Sequence, residues 1–241
     1  MAEGKEMAAP RRVCIAGFMG AGKTTVAREL ERTLARPATY LYMGVNRDAS
    51  THMLPTTRLV RTVKRWRGVA PDTGGPPDSR APAAPPPKTR AERVARAVRA
   101  AARLTNQVAE ESYRELLAWW WTRRGTIVLF DRHFFSDFHA YDVGGSKNKP
   151  LDRRIHGLVL SRLARKPDLV VYLDAPADVL LARKGEGTLE LLERRRGEYL
   201  ALARELPAFV VVDATRPLEQ VRDEAAALIE RYASRAERAT A

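Results

Sequence analysis

A glycine-rich stretch near the start of the chain carries residue types that bind phosphate groups. Residues 17–24 read GFMGAGKT and fit the pattern G-x-x-x-x-G-K-[ST] without a mismatch. The glycines allow a tight turn whose backbone N–H groups point inward, so a triphosphate can lie at the start of the following helix. Lys23 would reach the outer phosphates, and the Thr24 hydroxyl would hold Mg²⁺. The residues expected to contact the nucleotide are Gly17, Met19, Gly20, Ala21, Gly22, Lys23, Thr24 and Thr25.

The segments on either side of this loop have the pattern that a phosphate-binding loop requires. Residues 12–16, in which four apolar residues follow Arg12, are typical of a short buried strand, and apolar residues recur at helical spacing over residues 26–34. A glycine-rich turn that binds nothing is the alternative. Strand, loop, the Lys-Thr pair and helix come one after another in order, which favours a nucleotide-binding protein.

Four further apolar runs predict the rest of a sheet. They lie at residues 39–43, 126–130, 169–173 and 209–212 and alternate with helical patterns. Such alternation is typical of a parallel sheet, here of about five strands, covered by helices on both faces. Three of the runs end at an aspartate, namely Asp131, Asp174 and Asp213, so position alone does not decide which of them would act at a metal.

Length and composition limit the class of protein. A chain of 241 residues with 45% hydrophobic content suits one large α/β domain or two small ones. No apolar run is long enough to cross a membrane. Cys14 is the single cysteine, and residues 1–11 lack the apolar core of a secretion signal, so we expect a cytoplasmic protein.

The net charge of +13 has several possible origins. It could mark a nucleic-acid binder, serve small polyanions such as nucleotides, or reflect arginines on solvated helix surfaces. No motif that reads RNA or DNA accompanies the charge, so we do not expect a nucleic-acid partner.

Residues 90–124 predict one long helix, and residues 68–89 before it are rich in proline and glycine. Three consecutive tryptophans, Trp119–Trp121, span about 200° of the helix surface, so they cannot all face one core. We expect a disordered leader at 1–11, a single domain at 12–234 with a disordered insertion at 68–89, and a tail at 235–241.

Asp131 differs from the other two aspartates in its neighbours, because residues 131–142 read DRHFFSDFHAYD. Here the chain resembles the thymidylate kinase family of P-loop nucleoside monophosphate kinases, whose pattern is D-R-[YH]-x-x-S-x-x-A-Y-Q. Asp131, Arg132, His133 and Ser136 match the pattern in register, whereas Ala140 and Tyr141 follow after one additional residue and Asp142 replaces the final Gln. The resemblance continues through residues 172–176, a lid-like segment at about 183–197, and residues 212–219. It implies a three-layer P-loop NTPase sandwich that uses ATP and Mg²⁺.

The resemblance also implies roles for individual residues. Arg132 would grip the acceptor's phosphate or the transferring phosphoryl group, and Asp131 would act at Mg²⁺, directly or through water. Lid arginines would close over the phosphates because the loop has none of its own. Arg183 and Arg194 are expected to be catalytic, with Arg195 and Arg196 as further candidates. The turn at Asp213 and Thr215 would lie beside the adenine.

Departures from the family cluster where the acceptor would bind. Met19 replaces an acid that usually holds the deoxyribose, and the turn at residues 43–48 lacks the family's R-E-P sequence. The family's base-reading arginine falls near Glu110. His133 and His139 are expected to shape the pocket rather than act as bases. The expected acceptor pocket comprises Asn46, Arg47, Asp48, Arg132, Phe135, Phe138, Tyr141 and Asp142, with Asn106 and Gln107 as further candidates.

We therefore expect an ATP-dependent kinase that phosphorylates a small acceptor, namely dTMP or a related nucleoside monophosphate. A kinase of a nucleoside or a specialised metabolite is an alternative on the same fold. A nucleotide-dependent switch or ATPase without a small acceptor is another. The family resemblance also suggests a homodimer formed through long helices.

Overall fold

A computed structural model describes residues 11–18, 20–44, 52–68, 89–133, 158–159, 162, 165–185, 187–204, 206 and 208–240. Its strands are β1 (Arg12–Gly17), β2 (Ala38–Tyr42), β3 (Ile127–Asp131), β4 (Leu169–Asp174) and β5 (Phe209–Asp213). Its longer helices are α1 (Lys23–Thr33), α2 (Pro55–Trp66), α3 (Arg90–Arg123), α4 (Ala177–Lys184), α5 (Leu189–Ala201) and α6 (Leu218–Thr240). A short 3₁₀ turn, Leu202–Arg204, comes directly after α5.

The five strands form one parallel sheet in the order β2-β3-β1-β4-β5. The strand order reverses around β1, which pairs with β3 on one side and β4 on the other. In parallel sheets of this kind, ligands bind beyond the carboxyl ends of the strands at such a reversal. We therefore expect a ligand site at the carboxyl ends of β1, β3 and β4.

Alternating side chains of β1 supply two separate cores. Val13 and Ile15 belong to a cluster with Val26 and Leu30 of α1, whereas Cys14 and Ala16 belong to a second cluster that includes Ala118 of α3. Because successive strand residues point to opposite faces, helices cover both faces of the sheet. The predicted fold class, a parallel α/β sandwich of about five strands, is confirmed.

The boundaries of the five strands agree with the sequence patterns to within one residue, whereas the last helix differs at the end of the chain. The last helix runs to Thr240, although we expected a tail from residue 235. Its repeat of apolar residues continues to the buried Ala233, and the helix extends a further two turns. The expected leader lies outside the described residues except for Arg11, as does the insertion except for its two ends. The domain boundaries stay predictions.

The tryptophans of α3 divide between core and surface as the helical geometry requires. Trp119 and Trp120 are 41% and 42% exposed, and arginine guanidinium groups lie over both rings. Trp121 packs against the second core cluster. Within the described residues, no helix combines the length and apolarity needed to cross a membrane.

Candidate active site

The predicted phosphate-binding loop connects the end of β1 to the start of α1. Gly17 closes β1 with φ +146°, and a Cβ at this position would lie only 2.7 Å from the Leu173 carbonyl oxygen. Gly22 has φ +83°, in the left-handed region that glycine adopts without strain. The Ala21 N–H donates to the Phe18 carbonyl across the turn at 3.2 Å. The loop is therefore as tight as the glycine spacing predicts, although Met19 lies outside the described residues.

The start of α1 has the features of an anion-binding helix end. Its N-cap, Gly22, offers no side-chain cap, and the first turn contains no acidic residue. The N–H groups of that turn would suit a phosphate, and Thr25 lies exposed within it. Lys23 is 8% exposed, and its ammonium donates to the Phe18 carbonyl at 2.9 Å, so it lies against the loop.

Asp131 lies beside this helix end and is completely buried. One of its carboxylate oxygens, Oδ2, accepts hydrogen bonds from the Thr24 hydroxyl at 2.5 Å and from the Tyr40 hydroxyl at 3.1 Å. The other, Oδ1, is buried without a hydrogen-bond partner among the described residues. The fold thus brings together the two residues that the sequence predicts at the metal.

These residues fit a magnesium ion. Mg²⁺ prefers oxygen ligands, and in nucleotide sites the protein supplies only one or two of them beside the phosphates. The Thr24 hydroxyl and the Asp131 carboxylate provide such a pair. Among the described residues, no group of three or more His, Cys, Asp or Glu could hold a metal.

Tyr40 is a functional candidate that the sequence analysis missed. It lies in β2, and the pairing of β2 with β3 brings its hydroxyl to Asp131, 91 residues further along the chain. Burial, the negative charge of Asp131 and the hydrogen bond to it raise the pKa of Tyr40 above its usual range. Its position in an apolar strand looks like that of an ordinary core residue, so no local signal identifies it.

Arg132 comes directly after Asp131 and has a backbone conformation rare outside glycine. Its φ is +63°, a conformation that stores strain and is often found at functional sites. Its side chain packs against Gly44 at the end of β2, where a Cβ would approach the Arg132 Cδ to 2.6 Å. Gly44 therefore makes room for the arginine beside the candidate metal residues.

Helix α3 holds both ends of the segment that contains Asn46, Arg47 and Asp48. The buried Arg114 donates to the Gly44 carbonyl at 3.2 Å and to the His52 carbonyl at 3.3 Å. The buried Glu110 accepts from the Leu54 N–H at 3.2 Å and lies 3.6 Å from Arg114. Residues 45–51 lie outside the described residues. Together, the contacts of Arg114 and Glu110 form a clasp that holds the two ends of this segment. Glu110 lies near the position where the family resemblance places a base-reading arginine.

The remaining acceptor candidates have different settings. Asn106 accepts a hydrogen bond from the Thr57 hydroxyl at 3.2 Å, and Gln107 donates to Glu111 at 3.3 Å. Both lie on α3 next to the clasp. The candidates Phe135, Phe138, Tyr141 and Asp142 lie outside the described residues, as does His139.

His133 is fully buried against the sheet. Its ring meets Phe130 edge-on with centroids 4.8 Å apart, and its Nε2 lies 3.8 Å from the Glu115 carboxylate. Burial lowers the pKa of His133 to about 3, and the charge of Arg12 adds to the effect. A neutral, enclosed imidazole suits a structural role; the expectation that His133 shapes the acceptor pocket stays a prediction.

Arg183 lies between the phosphate-binding loop and the turn after β5. Its guanidinium donates to the Ala214 carbonyl at 2.9 Å, and its Cβ lies 3.7 Å from where a Cβ on Gly20 would be. In the same turn, Asp213 accepts from the N–H and the hydroxyl of Thr215 at 2.9 and 2.6 Å, and these bonds lower the pKa of Asp213. Arg183 therefore lies next to both the phosphate-binding loop and the turn that is expected beside the adenine.

The three arginines of α5 have distinct partners. Arg194 is 63% exposed and lies 3.7 Å from Glu198 of the same helix, and Arg195 pairs with that glutamate at 3.1 Å. Arg196 donates two hydrogen bonds of 2.7 Å to Asp174 at the end of β4. The catalytic role expected of Arg194 stays a prediction.

The sheet order, the loop between β1 and α1, and the Thr24–Asp131 contact define an α/β fold of the P-loop NTPase type. A family model described as thymidylate kinase matches residues 88–225, which is more than half of the chain. The chain therefore belongs to the thymidylate kinase family.

Curated relatives agree with this assignment. The chain is 35% identical over 119 residues to a thymidylate kinase of Shewanella frigidimarina, covering 46% of this chain and 54% of the relative. It is 35% identical over 120 residues to the enzyme of Alteromonas mediterranea, covering 46% and 53%. It is 35% identical over 117 residues to the thymidylate kinase of Shewanella loihica, covering 45% of this chain and 54% of the relative. The chain spans about half the length of the curated relatives it matches.

Proposed function

We propose that this protein transfers the γ-phosphoryl group of ATP to a nucleoside monophosphate, dTMP or a related acceptor. The observation that carries the proposal is the hydrogen bond between Thr24 and the buried Asp131, next to an uncapped helix start. This arrangement suits a nucleotide with its magnesium ion. Membership of the family supports a monophosphate as the acceptor.

The loop and its neighbours would bind and orient the donor. Backbone N–H groups of residues 20–25 would surround the phosphates, with Lys23 directed to the outer ones, and Thr24 and Asp131 would hold Mg²⁺. When bound, Mg²⁺ neutralises charge on the phosphate oxygens. We propose that Arg183 and the turn at Asp213 and Thr215 contact the rest of ATP.

The acceptor would approach from the ends of β2 and β3. Arg132 would hold its phosphate, because a guanidinium can bond two phosphate oxygens at once and keeps its charge. Arg194 is proposed to act from the lid. The other residues proposed for the acceptor pocket are Asn46, Arg47, Asp48, Phe135, Phe138, Tyr141 and Asp142. A homodimer and a cytoplasmic location are further proposals.

An altered acceptor is a second candidate, and Glu110 is the observation that favours it. This residue is engaged with Leu54 and Arg114, so a base would not meet an arginine at this position. Loss of a hydrogen-bonding group in a recognition pocket changes selectivity by large factors. A different nucleoside monophosphate, a nucleoside or another small metabolite would then replace dTMP.

The substitution Lys23→Ala tests the donor site. We expect ADP formation to fall to background while the melting temperature stays near that of the unaltered protein. Lys166→Ala is the matched control, because Lys166 is an exposed lysine outside the loop. Equal ADP formation in the two variants would remove the phosphate-binding loop from the reaction.

A further inference from the structure

Tyr40 occupies a position between the sheet core and the candidate metal residues. It is 4% exposed, and its hydroxyl donates to Asp131 Oδ2 at 3.1 Å. The Thr24 hydroxyl donates to the same oxygen at 2.5 Å. Two donors on one carboxylate oxygen fix the plane of the carboxylate and determine which oxygen remains.

Helix α1 fixes the tyrosine itself. The Tyr40 N–H donates to the Glu31 carboxylate at 2.8 Å, and the Arg28 guanidinium lies 5.3 Å from the centre of the Tyr40 ring. Both residues belong to the helix that begins at Lys23 and Thr24. Helix α1 therefore carries one donor to Asp131, Thr24, and contacts the other, Tyr40 of β2, so the fold sets the separation of the two hydroxyls.

The remaining oxygen, Asp131 Oδ1, is buried and has no hydrogen-bond partner among the described residues. A buried carboxylate oxygen left in this state is costly, and it is an ordinary feature of a site that binds an ion or an ordered water. The Thr24 and Tyr40 hydroxyls both donate to Oδ2, so among the described residues Oδ1 is the oxygen that lacks a hydrogen bond.

We propose that Tyr40 is a positioning residue that presents Asp131 Oδ1 to the magnesium ion of the nucleotide. Thr24 is itself a candidate ligand, so a bound cation would compete for its hydroxyl. Tyr40 then supplies the donor that keeps Oδ2 in place. The inference rests on the proposed function, since it assigns Tyr40 a part in the same metal site.

The test compares metal binding in Tyr40→Phe with that in the unaltered chain. Mn²⁺ serves as a probe for Mg²⁺, and its free concentration is measured by electron paramagnetic resonance in the presence of a non-hydrolysable ATP analogue. Removing an outer partner of a metal ligand weakens metal affinity by about 10-fold or more. We expect that loss in Tyr40→Phe, with unchanged affinity for the analogue in EDTA.

Tyr172→Phe is the matched control, since it removes another buried tyrosine hydroxyl from a central strand. It should bind Mn²⁺ like the unaltered chain, and both variants should show a cooperative thermal transition. Equal Mn²⁺ affinity in Tyr40→Phe and the unaltered chain would overturn the role of Tyr40 alone. Failure of the unaltered chain to bind Mn²⁺ with the analogue would overturn the proposed function and this inference together.

Discussion

Arg196 and Asp174 form a two-bond ion pair that joins helix α5 to the carboxyl end of β4. Both hydrogen bonds are 2.7 Å long, and they raise the pKa of Arg196 above its usual range. Stacking of Tyr172 between Tyr199 and Phe209, with centroid distances of 5.4 and 5.7 Å, ties the same helix to the sheet. The lid-like segment thus has a defined anchor beside the candidate site.

Weakening this anchor should loosen α5 without unfolding the protein. In Asp174→Asn the side chain loses its negative charge and keeps only one oxygen that can accept a hydrogen bond from Arg196. Partly exposed ion pairs contribute up to about 1 kcal/mol, which corresponds to about a fivefold change in local opening. Hydrogen exchange should therefore be faster at the amides of residues 189–201. Glu193→Gln, which removes a weaker partner of Arg196 at 3.8 Å, is the control; equal exchange in the two variants would contradict the anchor.

The buried His133 should make the protein less stable in mild acid. The pKa of His133 in the folded chain, about 3, lies below the ordinary value of 6.5. Below pH 6.5 the unfolded chain therefore binds a proton at this residue, whereas the folded chain does not. Stability is therefore lost as the pH falls from 6.5 towards 3. The expected loss from this residue between pH 6.5 and pH 5 is about 1.5 kcal/mol.

Urea denaturation at several pH values checks this effect. His133→Gln has no imidazole, so its free energy of unfolding should fall by about 1.5 kcal/mol less than that of the unaltered chain over the same pH range. His52→Gln is the comparison: burial lowers the pKa of His52 as well, but this side chain is only partly buried, so its removal should flatten the pH profile less than removal of His133. Parallel pH profiles for His133→Gln and the unaltered chain would mean that His133 can be protonated in the fold.

Two substitutions of Arg132 separate the cost of its backbone conformation from the chemical role of its guanidinium group. A residue other than glycine at φ +63° costs about 1 kcal/mol, so Arg132→Gly should be more stable than Arg132→Ala by about that amount. Both variants lack the guanidinium and should lose phosphoryl transfer far more than binding of an ATP analogue. Calorimetric melting and analogue titration measure the two effects. A normal transfer rate in either variant would exclude Arg132 from the reaction.

Deletion of residues 70–88 should leave the free energy of unfolding within about 1 kcal/mol of that of the full chain. The expectation comes from their composition, since such a sequence buries few apolar groups. The deletion keeps Thr89, whose side chain caps α3 in a reciprocal pair of hydrogen bonds with Glu92. Thr89→Ala should itself cost about 1 kcal/mol. A much larger loss on deletion, seen by thermal melting, would show that the segment packs against the domain.

Local patterns were sufficient to predict the sheet and the phosphate-binding loop. Each strand is a short run of apolar residues, and Gly17 and Gly22 occur where the turn requires their backbone freedom. The proximity of Thr24 and Asp131 was also predictable, because parallel strands end at one edge of the sheet. These features depend on neighbours in the chain or on simple sheet geometry.

The contacts that complete the site depend on long-range pairing. Tyr40 reaches Asp131 through the register of β2 and β3, and nothing in its neighbourhood distinguishes it from a core tyrosine. Arg114 joins Gly44 to His52 from a helix far along the chain. Arg196 was only a further candidate among the four lid arginines, and the fold pairs it with Asp174. Such partners are decided by tertiary packing.

Acceptor-dependent phosphoryl transfer is tested most directly by ADP release from ATP–Mg²⁺ against a panel of acceptors. The panel contains dTMP, other nucleoside monophosphates, nucleosides, phosphosugars and a reaction without acceptor, each repeated with Lys23→Ala. We predict saturable stimulation by dTMP or another nucleoside monophosphate, abolished in Lys23→Ala. Stimulation only by a nucleoside or a phosphosugar would contradict the assigned acceptor class. Slow ADP release that no acceptor changes would contradict transfer itself and indicate a nucleotide-dependent switch.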